Sequence, residues 1–328
     1  MSGEAAQPGP ASAALLAPAR WRRWEFALAA AIWIAPFAFP RHAALINEVA
    51  ILALFALSLD LILGYAGILS LGHAAFFGLG GYGAALLATH GVGDPLVGLA
   101  AGLVLGALLG AATSPMIVRG SDLTRLMVTM GVSLVLLELA NRFDDITGGT
   151  DGLQGVSMAP LLGRYAFDLG ARVASFYSLA VLTIAFVVAR RIVHSPFGVS
   201  LQALRDNRLR LSAIGMSVPG RLAAAYTVGA ALAGAAGALQ AQTTGFASLD
   251  LLDFHRSADV MLALVIGGTG WLWGGVLGAI AFKVMHDVIS SITPEYWTFW
   301  IGVILVVLTR VGRERILQPW TWRRGGDR

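Results

Sequence analysis

Residues 203–218 read Ala-Leu-Arg-Asp-Asn-Arg-Leu-Arg-Leu-Ser-Ala-Ile-Gly-Met-Ser-Val, within a polar, arginine-rich segment (190–221) that separates long apolar runs. Charged and apolar residues are mixed along this stretch and Gly215 stands where a helix would end, so the pattern predicts an amphipathic helix closed by Gly215. Lipid offers the charged face of such a helix no partner. We therefore interpret the segment as a docking element in the cytoplasm; the alternative is a loop held by lipid phosphates through its arginines.

The composition indicates a membrane protein. Hydrophobic residues make up 57% of the 328 residues and charged residues 13%, about half the share usual in soluble domains. The 40 glycines suit closely packed membrane helices, and the absence of cysteine excludes disulfides and thiolate metal sites. The net charge of +4 does not indicate nucleic-acid binding, because the basic residues lie in loops beside apolar runs, as in the positive-inside pattern.

A membrane-spanning helix needs about 20 apolar residues, and the chain offers many such windows. We predict spans near 25–40, 44–63, 66–89, 95–118, 124–140, 173–190, 222–243 and 297–309. The glycines at 98, 102, 106 and 110 recur every four residues and predict a face where two helices pack closely.

The region 257–290 is apolar but is broken by glycines at 267–270 and 274–275. Loop arginines place the N-terminus in the cytoplasm, and the arginine-rich C-terminal tail must lie there too. Both termini can lie on the same side only if the region 257–290 does not cross the membrane a single time. We therefore predict that 257–290 enters the membrane and returns, or crosses it twice as two short helices. A glycine-rich kink packed against a neighbouring helix would have a similar sequence. Broken backbone at membrane depth is tolerated only where protein buries it or where it lines a wet cavity, so this region is a candidate transport path.

A second glycine-rich stretch, 64–83, carries a serine and a histidine in an otherwise lipid-like run. Ser70 and His73 are three residues apart and share a helical face. A packed, hydrogen-bonded histidine is the alternative interpretation. The predicted residues of a transport path are Tyr65, Ser70, His73, Phe77, Gly267, Gly268, Gly270 and Trp271.

Several chemistries are absent from the sequence. No histidine is followed by glutamate, as a His-Glu-x-x-His zinc helix would require, and no Gly-x-Ser-x-Gly elbow occurs. Lys283 is the only lysine and does not follow glycine, which excludes a Walker A loop, so any ATP must be bound by another polypeptide. The ionisable residues in or near the spans form no evident proton relay. They are Glu48, Asp60, Glu138, Lys283, His286 and Asp287.

Four segments together resemble the membrane permeases of branched-chain amino acid ABC importers of the LivM type. They are Leu63-Gly-Tyr-Ala-Gly-Ile-Leu-Ser-Leu-Gly-His-Ala-Ala-Phe-Phe-Gly, Thr147-Gly-Gly-Thr-Asp-Gly-Leu153, the segment 203–215 and Gly267-Gly-Thr-Gly-Trp-Leu-Trp-Gly274. They occur in the order of the family, and the likeness extends from about residue 45 to 310.

The resemblance implies a type II ABC importer permease fold: an all-α polytopic membrane protein with about 8–10 transmembrane helices and broken or re-entrant segments. Residues 1–20 are rich in alanine and proline, lie outside the likeness and predict a disordered cytoplasmic tail. The resemblance implies a permease domain at 21–312 with a coupling loop at about 194–221, followed by a basic cytoplasmic tail at 313–328. The protein would lie in the bacterial inner membrane with both termini in the cytoplasm. Residues of the ATPase-coupling helix would be Arg205, Asp206, Asn207, Arg208, Ser212 and Gly215. Arg208 and Ser212 depart from the family pattern, which often has acidic residues there.

The same resemblance implies partners and a mechanism. The usual assembly has a second, LivH-type permease, two ATP-binding subunits and a soluble substrate-binding protein, and it needs no cofactor. ATP-driven closure of the ATPases would produce alternating access along an unselective, mostly apolar path for branched-chain or other apolar amino acids. Related permeases carry urea, short amides or aromatic acids. A self-contained secondary transporter and an intramembrane enzyme are the other classes, disfavoured by the weak internal repeat and the missing catalytic motifs.

Overall fold

The computed structural model describes residues 22–167, 170–207, 211–212, 215–292, 296, 299–300 and 302–303. Helices dominate this part of the chain, with two isolated β-bridges, Leu153 to Ala247 and Leu161 to Tyr165. The main helices are α1 (Arg23–Ala38), α2 (Ala43–Asp60, continued by a π-helical turn, Leu61–Tyr65), α3 (Ala74–Thr89), α4 (Pro95–Arg119), α5 (Asp122–Arg142), α6 (Arg172–Val193), α7 (Pro196–Asp206), α8 (Val218–Thr244), α9 (Phe254–Gly267) and α10 (Leu272–Ile292). Short turns at Pro40–His42, Asp144–Thr147, Gly149–Asp151 and Leu249–Leu252 connect them.

Six segments of the described chain are long and apolar enough to cross a membrane: Pro40–Tyr65 and the helices α4, α5, α6, α8 and α10. This confirms the prediction of an all-α polytopic membrane protein. Helices α1, α3 and α9 have 16, 16 and 14 residues, hence lengths of only about 21–24 Å. The total of 8–10 spans stays a prediction.

The centre of the molecule is a glycine-mediated packing of α8 against α3 and α4. A Cβ atom on Gly234 of α8 would overlap the Gly102 carbonyl oxygen, and one on Gly237 would overlap the Phe77 carbonyl oxygen. All four glycines of the repeat in α4 are buried, and all four face α8. The predicted packing face is therefore confirmed.

The predicted continuous span at 66–89 is wrong. Residues 66–73 are not helical, and α3 begins only at Ala74. The preceding helix ends because Gly67 takes a left-handed conformation with φ of +67°, and the Ile68 N–H donates to the Ile62 carbonyl at 3.0 Å. Gly72 then lies so close to the Thr129 backbone that no side chain would fit, which holds this non-helical segment inside the protein.

The region 257–290 forms two helices, α9 and α10, joined by the glycine-rich segment 268–271. Of the two predicted arrangements of this region, the structure has the one with two helices. Gly268 and Gly270 have φ values of +101° and +76°, which reverse the chain. The two helices pack closely because a Cβ on Gly267 or Gly278 would overlap backbone atoms of the other helix. That both helices cross the membrane stays a prediction. The tails at 1–20 and 313–328 and most of the span near 297–309 lie outside the described residues.

Candidate functional site

The arginine-rich segment forms an exposed helix, but the helix predicted to end at Gly215 is interrupted. Its first part, α7, begins at Pro196, where the Ser195 hydroxyl accepts from the Gly198 N–H at 3.4 Å. The helix ends at Asp206 because Asn207 is extended, with φ of −158°. The sequence pattern alone did not indicate this interruption.

A further helical turn follows, and Gly215 closes it. The Gly215 N–H donates to the Ser212 carbonyl at 3.1 Å, and the Met216 N–H donates to the Leu211 carbonyl at 3.2 Å. This pair of bonds, with φ of +80° at Gly215, is the Schellman ending of a helix. The predicted role of Gly215 as a helix stop is therefore confirmed.

The segment is amphipathic as predicted. Leu201, Leu204 and Leu211 are buried against the bundle. The predicted coupling residues that the structure describes are all exposed: Arg205, Asp206, Asn207, Ser212 and Gly215. Arg208 lies outside the described residues. These exposed residues together form what we call the α7 surface, and their role in docking stays a prediction.

Replacing Gly215 by alanine should weaken docking of an ATPase without unfolding the permease. Nothing lies within 4 Å of the position of a Cβ atom, so the cost comes from the left-handed backbone alone, about 1–2 kcal/mol. We expect an affinity for the ATPase that is weaker by about five- to thirtyfold in a binding titration. Gly215→Asn is the matched control and should lose less, because asparagine tolerates this conformation. Equal affinity for both variants and the wild type would contradict a docking role for this turn.

Arg205 connects the α7 surface to the glycine-rich segments of the membrane core. Its guanidinium donates a hydrogen bond to the Gly64 carbonyl, at the π-helical end of α2. A Cβ on Gly67 would lie 3.1 Å from the Arg205 side chain, and one on Gly270 would lie 3.0 Å from its guanidinium. One side chain of the exposed helix thus contacts the interruption between α2 and α3, which we call the first break. It also lies beside the turn between α9 and α10, which we call the second break and which the sequence predicted.

Asp60 joins the same two breaks from inside. Its side chain has no solvent exposure, and its Oδ1 accepts from the Gly270 N–H at 2.7 Å. Its Oδ2 has no hydrogen-bond partner among the described residues. A Cβ on Gly64 would overlap the Asp60 carboxyl group, so the contact requires glycine there. Arg205, Asp60 and the two breaks form a contiguous unit, which we call the hinge cluster.

The path residues predicted in the first break are packed inside the protein. Tyr65, Ser70 and His73 are all buried. His73 Nε2 lies 2.8 Å from the Ser58 hydroxyl, and its ring stacks on Phe55 at 5.1 Å between centroids. This packing matches the alternative interpretation of His73. A transport role for these three residues stays a prediction, which the static packing leaves untested.

The path residues predicted in the second break lie at the turn between α9 and α10. Gly267 and Gly268 are buried, while Gly270 belongs to the hinge cluster. Trp271 is 40% exposed, and its ring lies 6.1 Å from that of Trp24 in α1. Their role in a path also stays a prediction.

A cavity of about 830 Å³ lies between α2, α9 and α10 and reaches Phe77. Phe77 is the one predicted path residue that lines it. The wall also carries residues that the sequence analysis did not assign to a site: Glu48, Asp250, His255, Arg256, Asp259, Lys283 and His286. Glu48, Lys283 and His286 were visible in the sequence as ionisable residues near span ends. Only the packing of three helices shows that these charged residues face the same cavity. The cavity is therefore more polar than the transport path that the resemblance implied.

Comparisons with known proteins identify the family of the chain. Residues 42–309 match the family model described as "Branched-chain amino acid transport system / permease component". The high-affinity branched-chain amino acid transport system permease protein LivM of Salmonella typhimurium is 30% identical over 82% of this chain and 68% of its own length. LivM of Escherichia coli has the same identity and coverage. The galactose/methyl galactoside import permease protein MglC of Haemophilus influenzae is 24% identical over 62% of each chain. No solved structure matches the chain significantly.

Proposed function

Because the chain belongs to the family of branched-chain amino acid transport system permease components, we propose that it is the permease subunit of an ATP-driven importer. The cargo would be branched-chain or other apolar amino acids. Separate ATPase subunits would move it by alternating access, and this chain would bind no ATP itself. Two LivM relatives at 30% identity support this choice of cargo.

The observation that carries the proposal is the contact of Arg205 with both glycine breaks. A force applied to α7 by a bound ATPase would act directly on Gly64 and on the turn at Gly270. These are the points where the helices are interrupted and where a small rotation costs least, because glycine has the widest range of backbone conformations. The α7 surface would therefore be the docking face, and the hinge cluster would pass its motion to α2, α9 and α10.

We further propose the arrangement in the membrane and the partners. Both termini and the α7 surface would face the cytoplasm of a bacterial cell, in its inner membrane, as the loop arginines favour. A second, LivH-type permease, two ATP-binding subunits and a soluble substrate-binding protein would complete the importer. The predicted path residues would line or adjoin the moving segments at 64–77 and 267–271.

Reconstitution of the purified complex in vesicles tests the proposal. With the cognate binding protein and internal ATP, we expect uptake of radiolabelled leucine that stops when ATP is replaced by a non-hydrolysable analogue. Leucine uptake by this chain alone under an ion gradient would reject the proposal in favour of a secondary transporter. Uptake of urea, a short amide or an aromatic acid, with no uptake of leucine, would keep the permease role and change the cargo.

A further inference from the structure

The charged cavity between α2, α9 and α10 has a chemistry that fits one class of ligand. We propose that this cavity holds the cargo during transport and recognises the ammonium and carboxylate groups of a free amino acid. The inference rests on the proposed function, because it requires amino acids as the cargo. It adds a recognition site within the permease, formed by Asp259, Arg256 and Lys283 above the ring pair Phe55 and Phe77.

The size and layering of the cavity suit a small amphipathic molecule. Its volume of about 830 Å³ lies within the range of small-molecule sites, about 300–1,000 Å³. The rings of Phe55 and Phe77 lie 4.6 Å apart between centroids, and both residues are buried, so they form an apolar floor. Glu48 and Asp250 are exposed and lie at the mouth. An apolar side chain can therefore rest on the floor while the charged end of the molecule stays near the polar wall.

Asp259 is the proposed acceptor of the ammonium group. The other two carboxylates of the wall already have cations: Glu48 pairs with Lys283 at 2.5 Å, and Asp250 pairs with Arg256. The described residues provide no hydrogen bond or ion pair to the partly buried Asp259 carboxyl group, which lines the same cavity. A partly buried carboxylate is stabilised by hydrogen-bond donors, which the described residues do not give to Asp259. The primary ammonium group of an amino acid would supply up to three such donors.

Arg256 and Lys283 are the proposed donors to the carboxylate. Both line the cavity, and both are close enough to Asp259 to interact with it electrostatically. A lysine ammonium has three donors and a guanidinium has five, so each can keep its present partner and still bind a second carboxylate. The wall thus offers an acceptor and two donors around one space, which matches a zwitterion better than urea or a neutral amide.

The location fits delivery from outside the cell. With the N-terminus in the cytoplasm, α1 leads outward, so Glu48 near the start of α2 lies on the outer side. Asp60, at the opposite end of α2, belongs to the hinge cluster and would lie on the cytoplasmic side. The cavity therefore opens on the side where a binding protein would release its cargo, while its floor lies toward the hinge cluster.

Asp259→Asn in the complete reconstituted importer tests the role of the carboxylate. We expect at least tenfold less leucine uptake per ATP hydrolysed, because a neutral amide binds an ammonium more weakly than a charged acceptor does. Asp259→Glu should recover part of the loss. The matched control is Asp287→Asn, since Asp287 is exposed on α10 and does not line the cavity. Wild-type uptake by Asp259→Asn would overturn the inference and leave the proposed function intact, whereas no leucine uptake by the wild type would refute the function itself.

Thiol labelling provides a second measurement if Asp259 variants fail to assemble. The chain has no cysteine, so Ala258→Cys introduces a single thiol on the cavity wall and Asp287→Cys a single thiol outside it. We expect leucine at transport concentrations to slow the labelling of the Ala258→Cys thiol by a charged thiosulfonate at least fivefold. The labelling rate of the Asp287→Cys thiol should not change. Isoamylamine and 4-methylpentanoate, which each lack one charged group of leucine, should protect poorly. Equal labelling with and without leucine would overturn the inference. That result is expected if a partner subunit or the residues after Gly302 fill the cavity instead of the cargo.

Discussion

Gly234→Ala is expected to prevent the permease from folding into a stable bundle, although it adds a single methyl group. A Cβ at this position would overlap the Gly102 carbonyl oxygen and approach the Gly106 Cα to 3.1 Å. Both neighbours are backbone atoms, which cannot move aside by changing rotamer. Adding a methylene to a packed core usually costs about 1–3 kcal/mol, and we expect a loss at or above the top of that range here. The measurement is the thermal unfolding midpoint and the yield of monodisperse protein in detergent.

Gly131→Ala is the matched control for this prediction. The change is chemically identical and also lies within a helix, α5, but nothing lies within 4 Å of the new Cβ. Alanine is favoured over glycine in a helix by about 1 kcal/mol, so this variant should be as stable as the wild type or more stable. If Gly234→Ala unfolded at the same temperature as Gly131→Ala, the close crossing of α8 and α4 would be wrong.

Arg205→Met should uncouple ATP hydrolysis from uptake in the assembled importer. Methionine keeps an apolar stem of moderate length but loses the donors that reach the Gly64 carbonyl. Motion of α7 would then no longer act on the two breaks, and we expect at least tenfold less leucine uptake per ATP hydrolysed. The ATPases should still co-purify with the variant, because the rest of the α7 surface is unchanged.

The control for Arg205 is the same substitution at Arg191, an exposed arginine near the end of α6, which should leave uptake per ATP unchanged. The Cβ of Gly64→Ala would overlap the Asp60 carboxyl group and the Gly270 nitrogen, so we expect a lower yield of folded complex and, in the complex that does assemble, the same uncoupling. Loss of the ATPases from Arg205→Met would assign this residue to docking alone. Normal coupling in both Arg205→Met and Gly64→Ala would refute the hinge cluster as the transmission element.

Local features of the fold could be predicted well because they depend on neighbouring residues. The glycine repeat of α4 predicted a close helix crossing, and the glycines at 267–270 predicted a break between two helices. Two predicted helices are interrupted in the structure. The span at 66–89 is broken by the left-handed Gly67, and the helix closed by Gly215 is broken by the extended Asn207. In both places the backbone conformation of a single residue, which the hydrophobic pattern does not show, ends the helix.

The sequence by itself determined that this is a helical membrane protein, that its region 257–290 is broken by glycines, and that an amphipathic basic segment lies between spans. Hydrophobic length, glycine and charge act over a few residues, so they can be read along the chain. Only the tertiary structure decided which distant residues meet. Arg205 reaches Gly64 across 141 positions, Asp60 reaches Gly270 across 210, and the charges of α2, α9 and α10 face one cavity. Such contacts depend on how whole helices rotate and cross, which is settled by close packing between faces far apart in the chain.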